Sequence, residues 1–107
     1  MTSSSVVIVL STFPADGDAD TLARSLVTER LAACVNVVPA MTSFFRWEGK
    51  VEQASERQLI IKTTGARLGP LKARLAELHP YDVPEILVIA VSDGGERYLE
   101  WLRASVD

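Results

Sequence analysis

The sequence contains one cysteine, Cys34, and one histidine, His79, in 107 residues. A lone thiol cannot close an internal disulfide or build a multi-cysteine zinc site. Positive charge is not in excess: 11 Lys and Arg stand against 14 Asp and Glu, a net charge of -3, with a pI near 5.1. Clustered positive charge is what holds a phosphate backbone, so nucleic acid is excluded as the main partner. No hydrophobic run approaches the ~20 residues of a membrane-spanning helix, and no membrane partner is expected. The opening Met1-Thr2-Ser3-Ser4-Ser5 has no basic side chain, and the apolar run after it, Val6–Leu10, is too short for a signal-peptide core. A cytoplasmic protein is expected. Neither a glycine-rich phosphate loop nor a G-x-S-x-G elbow occurs, so no catalytic residue is assigned and an enzyme is not expected.

What is present is ordinary for a globular chain: 48% hydrophobic and 23% charged residues, enough for one core and too short for two. Residues 1–5 read as a frayed, disordered lead-in, and 6–107 as a single domain. Val6–Leu10 is a strand with both faces buried. Asp18 to Ala33 carries Leu22, Leu26, Val27 and Leu31 on one helical stripe, with Asp16 or Asp18 as cap. Val35 to Trp47 is extended with a break and a bulge near Pro39. Glu48-Gly49 is a two-residue hairpin turn that sets Trp47 opposite Lys50 and Phe45 opposite Glu52, and Lys50 to Thr64 returns as a long partner arm. Ala66 to Leu78 is a second helix, with Pro70 placing its regular part near that residue. Ile86 to Val91 is a further strand. Asp93-Gly94-Gly95-Glu96 has the spacing of a capping box ahead of a short third helix. The order βαββαβ plus a C-terminal helix is that of an α+β, ferredoxin-like sandwich with an antiparallel sheet.

In such a sandwich one sheet face meets water, and its strands alternate apolar and polar residues. Val6–Leu10, Leu59–Ile61 and Ile86–Val91 do not alternate, so both faces are apolar. One short helix cannot cover four strands, and a second subunit is expected on the other face. Phe44, Phe45 and Trp47 at the hairpin tip, and Tyr98 and Trp101 on the last helix, read as interface or core packing.

Five strings stand in order along the chain: Ala32-Ala33-Cys34-Val35-Asn36, Ser43-Phe44-Phe45-Arg46-Trp47-Glu48-Gly49-Lys50, Lys62-Thr63, His79-Pro80-Tyr81-Asp82-Val83-Pro84-Glu85 and Tyr98-Leu99-Glu100-Trp101-Leu102. Together, over Val6 to Val106, they closely resemble the CutA family of divalent-cation tolerance proteins. The resemblance implies a ferredoxin-like homotrimer, with hairpin arms pairing between subunits and an architecture like the PII-type signalling proteins. It also implies a role in the response to divalent metals such as copper, and a chain short of the fuller ligand set is expected to bind copper weakly. Metal-binding relatives can carry a cysteine at the end of the first strand and a second histidine before the His-Pro pair; here those positions are Ser11 and Leu78. Relatives usually have Tyr where Phe45 stands.

Six residues are candidates for chemistry. His79 is either a copper or zinc ligand or a histidine placed at a helix C-terminus by the dipole. Cys34 is either a soft-metal ligand or a small core residue. Trp47, Lys62, Tyr81 and Glu85 are candidates for a pocket binding a small anionic ligand at the subunit seam. The rival reading is a structural ion pair between Lys62 and Glu85. Pro80 and Pro84 stiffen the loop that carries Tyr81, Asp82 and Glu85.

Overall fold

A nine-residue strand, β1 (Val6–Pro14), occupies the middle of the sheet in the computed structural model, which describes residues 1–107. It is followed by α1 (Ala19–Thr28), β2 (Cys34–Val37), β3 (Met41–Trp47), β4 (Lys50–Thr64), α2 (Gly65–Leu78), β5 (Leu87–Ala90) and α3 (Glu96–Val106). The sheet order is β2-β4-β1-β5, with β3 pairing the outer half of β4, and every pairing is antiparallel. This is the expected ferredoxin-like α+β sandwich with an added C-terminal helix.

Alternation along the strands divides the sheet into two faces. Val7, Val9 and Phe13 of β1 and Leu59 and Ile61 of β4 form one core with Leu22 and Leu26 of α1 and Leu71 and Leu75 of α2. The opposite face carries Val6, Ile8 and Leu10, with Ile60 across from Leu10, and Ile89 and Leu87 across from Ile8 and Leu10. There α3 covers only one end, where Leu102 and Val106 meet Val6 and Ala33. Ile8, Leu10 and Ile60 are left half-buried, and Leu87 and Ile89 are exposed. The second face is thus apolar, as the unbroken runs imply, and largely uncovered within one chain.

Helix α1 starts where the cap chemistry puts it. The Asp18 carboxylate accepts from the Thr21 amide at 3.1 Å and the Thr21 hydroxyl at 2.6 Å, which holds its pKa below the usual carboxylate value. The helix ends at Thr28, earlier than the apolar stripe suggests. Leu31 N–H bonds the Leu26 carbonyl and Arg30 N–H the Val27 carbonyl, the paired bonds of a Schellman motif. Its left-handed position is filled by Arg30 at φ 59. Leu31 continues the stripe because it folds back onto Leu26, and Thr63 Oγ1 donates to the Leu31 carbonyl at 2.7 Å.

Two local expectations need correction. Helix α2 spans Gly65–Leu78, within one residue of the expected Ala66–Leu78, but it is regular from its start and not only from near Pro70. Its first amides have acceptors outside the helix: Gly65 N–H donates to Ser5 O and Ala66 N–H to Ser3 O, each at 2.9 Å. The lead-in lies against this helix start. Pro70 lacks the N–H that would reach the Ala66 carbonyl, but both residues are exposed, so water can take that bond. The capping box at Asp93 does not form. The N-cap of α3 is Gly95, and the Asp93 carboxylate accepts from Gly94 N–H instead.

The hairpin follows its turn chemistry. Glu48 at φ 50 and Gly49 at φ 79 give the two left-handed positions of a tight turn, and Trp47 pairs Lys50 and Phe45 pairs Glu52. Between the Val37–Leu59 and Met41–Glu56 pairs, one arm advances four residues and the other three, an extra residue at the Pro39 break. The arms give the molecule a long dimension of 44 Å against 26 and 23 Å. Phe44 and Trp47 are exposed on the arms by 69% and 51%.

Candidate functional site

The loop between α2 and β5 organises the polar groups at one end of β1 and β4. Helix α2 stops at Leu78, and His79 turns extended at ψ 136 because Pro80 follows it. Its ring is buried against Phe13 and Tyr81, with ring centres 5.2 and 4.9 Å apart. Tyr81 N–H donates to Nδ1 at 3.0 Å. Nδ1 is therefore the acceptor nitrogen, and Nε2 carries the proton it shares with the Thr12 carbonyl at 2.6 Å. Both nitrogens are thus used inside the chain. A metal at Nδ1 would have to displace the Tyr81 amide.

Tyr81 then reaches a buried acid. Its hydroxyl donates to Glu56 Oε2 at 2.7 Å, and Glu56 is only 6% exposed. Desolvation, the bond to Glu56 and the negative charges of Glu56 and Asp16 push the phenol pKa up to about 12. A phenol held in its neutral form is a donor, so Tyr81 serves here to satisfy the carboxylate.

Glu85 joins the same end of the sheet through Gln58. Gln58 Nε2 donates to Ser11 O at 2.6 Å and to Glu85 Oε2 at 3.3 Å. The Lys62–Glu85 ion pair does not form. Lys62 stands opposite Ile8 and Gln58 opposite Thr12, a separation of about 13 Å along the strand at ~3.3 Å per residue. Lys62 instead extends along the uncovered face, with Nζ 5.9 Å from the centre of the Tyr98 ring. No carboxylate lies within salt-bridge distance of it.

Of the four pocket candidates, the fold therefore brings Tyr81 and Glu85 together and leaves Lys62 and Trp47 apart from them. The two metal candidates are also separated. Cys34 on β2 pairs with Lys62 of β4 and is partly exposed, whereas His79 bonds Thr12. No group of three or more His, Cys, Asp or Glu side chains is arranged to hold a metal ion. Ser11 is buried, and Leu78 packs on the core, so neither position contributes a ligand. A cleft of about 450 Å³ opens beside the loop, lined in part by Phe13, Asp16, Asp18, Leu78 and Pro80. None of the six candidates lines it.

Glu56 and Gln58 were not among the residues singled out from sequence, yet they anchor Tyr81 and Glu85. Their signal is weak but physical. With Lys62 they put polar groups at even positions of β4, on the face that also carries Ile60, and buried polar groups on such a face need partners.

Comparison with known proteins places this geometry among relatives. The family described as CutA1 divalent ion tolerance protein matches residues 7–105. A divalent-cation tolerance protein CutA from Thermus thermophilus is 49% identical over 96 residues, covering 90% of this chain and 93% of that protein. The crystal structure of CutA from Xylella fastidiosa superposes with a TM-score of 0.92 at 42% identity, covering 96% of this chain and 99% of the other. That of CutA1 from Oryza sativa gives 0.91 at 40% identity, covering 98% of each chain.

Proposed function

The chain belongs to the CutA1 divalent ion tolerance family, and from that premise we propose that it works as a homotrimer in the response to divalent metal ions, contacting copper weakly. The observation that carries the oligomer is the uncovered second face. Leu87 and Ile89 are 55% and 47% exposed, and Tyr98 and Trp101 are 47% and 48% exposed on the helix beside it. Covering such side chains is worth on the order of 1 kcal/mol each. Strand β5 is also an edge strand with a free row of backbone groups. The projecting hairpin supplies an arm of matching character, and the family resemblance supports three as the number.

Weak metal contact follows from the ligands. The Cys34 thiol is partly accessible, and His79 becomes a ligand only when its bond to the Tyr81 amide opens. A tight site needs three or four donors, so copper would be held by few groups, with any others coming from a neighbouring subunit. The reading assigns no catalytic step and a cytoplasmic location, which cell fractionation tests.

Sedimentation velocity at micromolar protein tests the assembly. The expected mass is three times the 11.7 kDa of one chain, and a stable monomer would refute it. Titration with Cu(II) against a competing chelator tests the metal. Saturable but readily competed binding is expected, and no saturable binding would remove copper while leaving the trimer.

A second reading is a PII-like regulatory module that binds a small anionic ligand at the subunit seam. It is favoured by Lys62, a cation without a carboxylate partner on the uncovered face, and by Trp47, exposed at the end of an arm long enough to reach a neighbour. Thermal shift with small carboxylates and phosphate esters tests it, with Lys62→Met as control. A rise that disappears in that variant supports the seam pocket, and a flat response removes it.

A further inference from the structure

The end of α3 remote from the hairpin carries positive charge that no part of the metal or seam-pocket reading uses. Arg67, on the first turn of α2, donates from Nε to the Val106 carbonyl at 2.6 Å. Arg103, on the last turn of α3, donates from Nε to the Ser4 carbonyl at 2.9 Å. These bonds fix the two guanidinium planes and use one donor of each. The Nη groups of both arginines make no hydrogen bond within the chain, and neither arginine has a carboxylate within 4.0 Å. Both line an open cleft of about 550 Å³, together with Ser3, Ser4 and Thr64.

A purely structural reading has the arginines completing helix ends, since cations suit a helix C-terminus and its free carbonyls. That accounts for Nε of Arg67 and for nothing at the Nη groups. In a chain of net charge -3, two anchored guanidinium forks without counter-ions beside one cleft form a local positive site. Arg30 adds a third cation at the same helix end, through the Asp107 backbone oxygen at 3.5 Å. The one acidic side chain in the wall is Asp107, which reduces the positive field without cancelling it.

We infer that this cleft between the serine lead-in, α2 and α3 binds a small phosphate monoester, its oxygens held by the Nη groups of Arg67 and Arg103. Fork geometry favours a group with several acceptor oxygens on one centre, which a phosphate supplies. The serine hydroxyls lie within the same walls. The cleft also stays clear of the apolar surface. Arg103 and Trp101 are two positions apart on α3 and so about 160° apart around its axis, which keeps the arginine flank away from the face proposed to meet other subunits.

The test is titration of the full chain with inorganic phosphate and with glycerol 3-phosphate, followed through the arginine Nε–H resonances. Saturable shifts are expected at Arg67 and Arg103 and not at Arg46 on the hairpin. Arg67→Gln and Arg103→Gln should each weaken binding about tenfold, and Arg67→Lys by less, because it keeps the charge without the fork. Asp107→Asn should tighten binding by removing a repulsive side-chain carboxylate from the wall. If Arg67→Gln loosens the fold, Arg103→Gln and Asp107→Asn still decide the matter. Shifts spread over all surface arginines, or Gln variants that bind like the unchanged protein, would overturn the site. Either result leaves the metal and seam readings standing, since they use other residues.

Discussion

Replacing Tyr81 by Phe removes one oxygen and keeps the ring against His79. The lost group is the donor to Glu56, a residue only 6% exposed. Leaving a buried acceptor unpaired costs about 1–3 kcal/mol. Tyr81 itself is only partly buried, so water can replace part of the bond, and about 1–2 kcal/mol is the expected loss. Chemical denaturation at fixed protein concentration measures it, as a lower midpoint with an unchanged slope. Glu56→Gln and the double variant complete a cycle, in which coupling above about 0.5 kcal/mol is expected. The phenol pKa gives an independent readout. Its rise from 10.0 to about 12 means the fold favours the protonated form. That contribution is fully present below the unfolded value and is lost as pH rises from about 10 through about 12. Absorbance titration should therefore show a late-ionising tyrosine that Tyr81→Phe abolishes. A variant within about 0.5 kcal/mol of the original, with additive effects and no late phenol, would refute the account of this loop.

Three further outcomes follow from local geometry. Arg30→Gly should stabilise the chain by about 0.5–1 kcal/mol in the same denaturation assay, because glycine takes the left-handed position of the Schellman motif without a Cβ penalty. Gly49→Ala should cost on the order of 1 kcal/mol, arising from φ 79 alone, since no atom lies within 4 Å of an added Cβ there; thermal melting checks it. Leu87→Asp on the uncovered face should shift sedimentation toward single chains while leaving far-UV circular dichroism unchanged.

The parts of the fold legible from sequence were those set by local chemistry. Glu48-Gly49 defines its own turn, and the turn sets every pair of the hairpin up to Met41–Glu56. The apolar runs of β1 and β4 revealed a sheet with two greasy faces. The misjudged positions depend on distant partners. Helix α2 is legible over Ala66 to Leu78, but no residue near Gly65 announces that Ser3 and Ser5 accept its first amides, so Pro70 misleads only about where its regular part begins. Arg30 gives no glycine signal for the end of α1. In the site, the proline-stiffened loop was readable, but the partner of Glu85 was not. Choosing Gln58 over Lys62 required the strand register, which only the paired sheet supplies.

The central place of β1 has a consequence for biosynthesis. Strand β1 leaves the ribosome before either neighbour and waits for both: Val6 pairs with Thr64, and Val7 with Ala90. The β3–β4 hairpin closes over a two-residue turn and can form while translation continues, whereas the middle of the sheet cannot be completed until β5 has emerged. Nascent Val6–Leu10 is thus an apolar segment without a partner until β4 and β5 follow it, the stage at which a chaperone would have the most to shield.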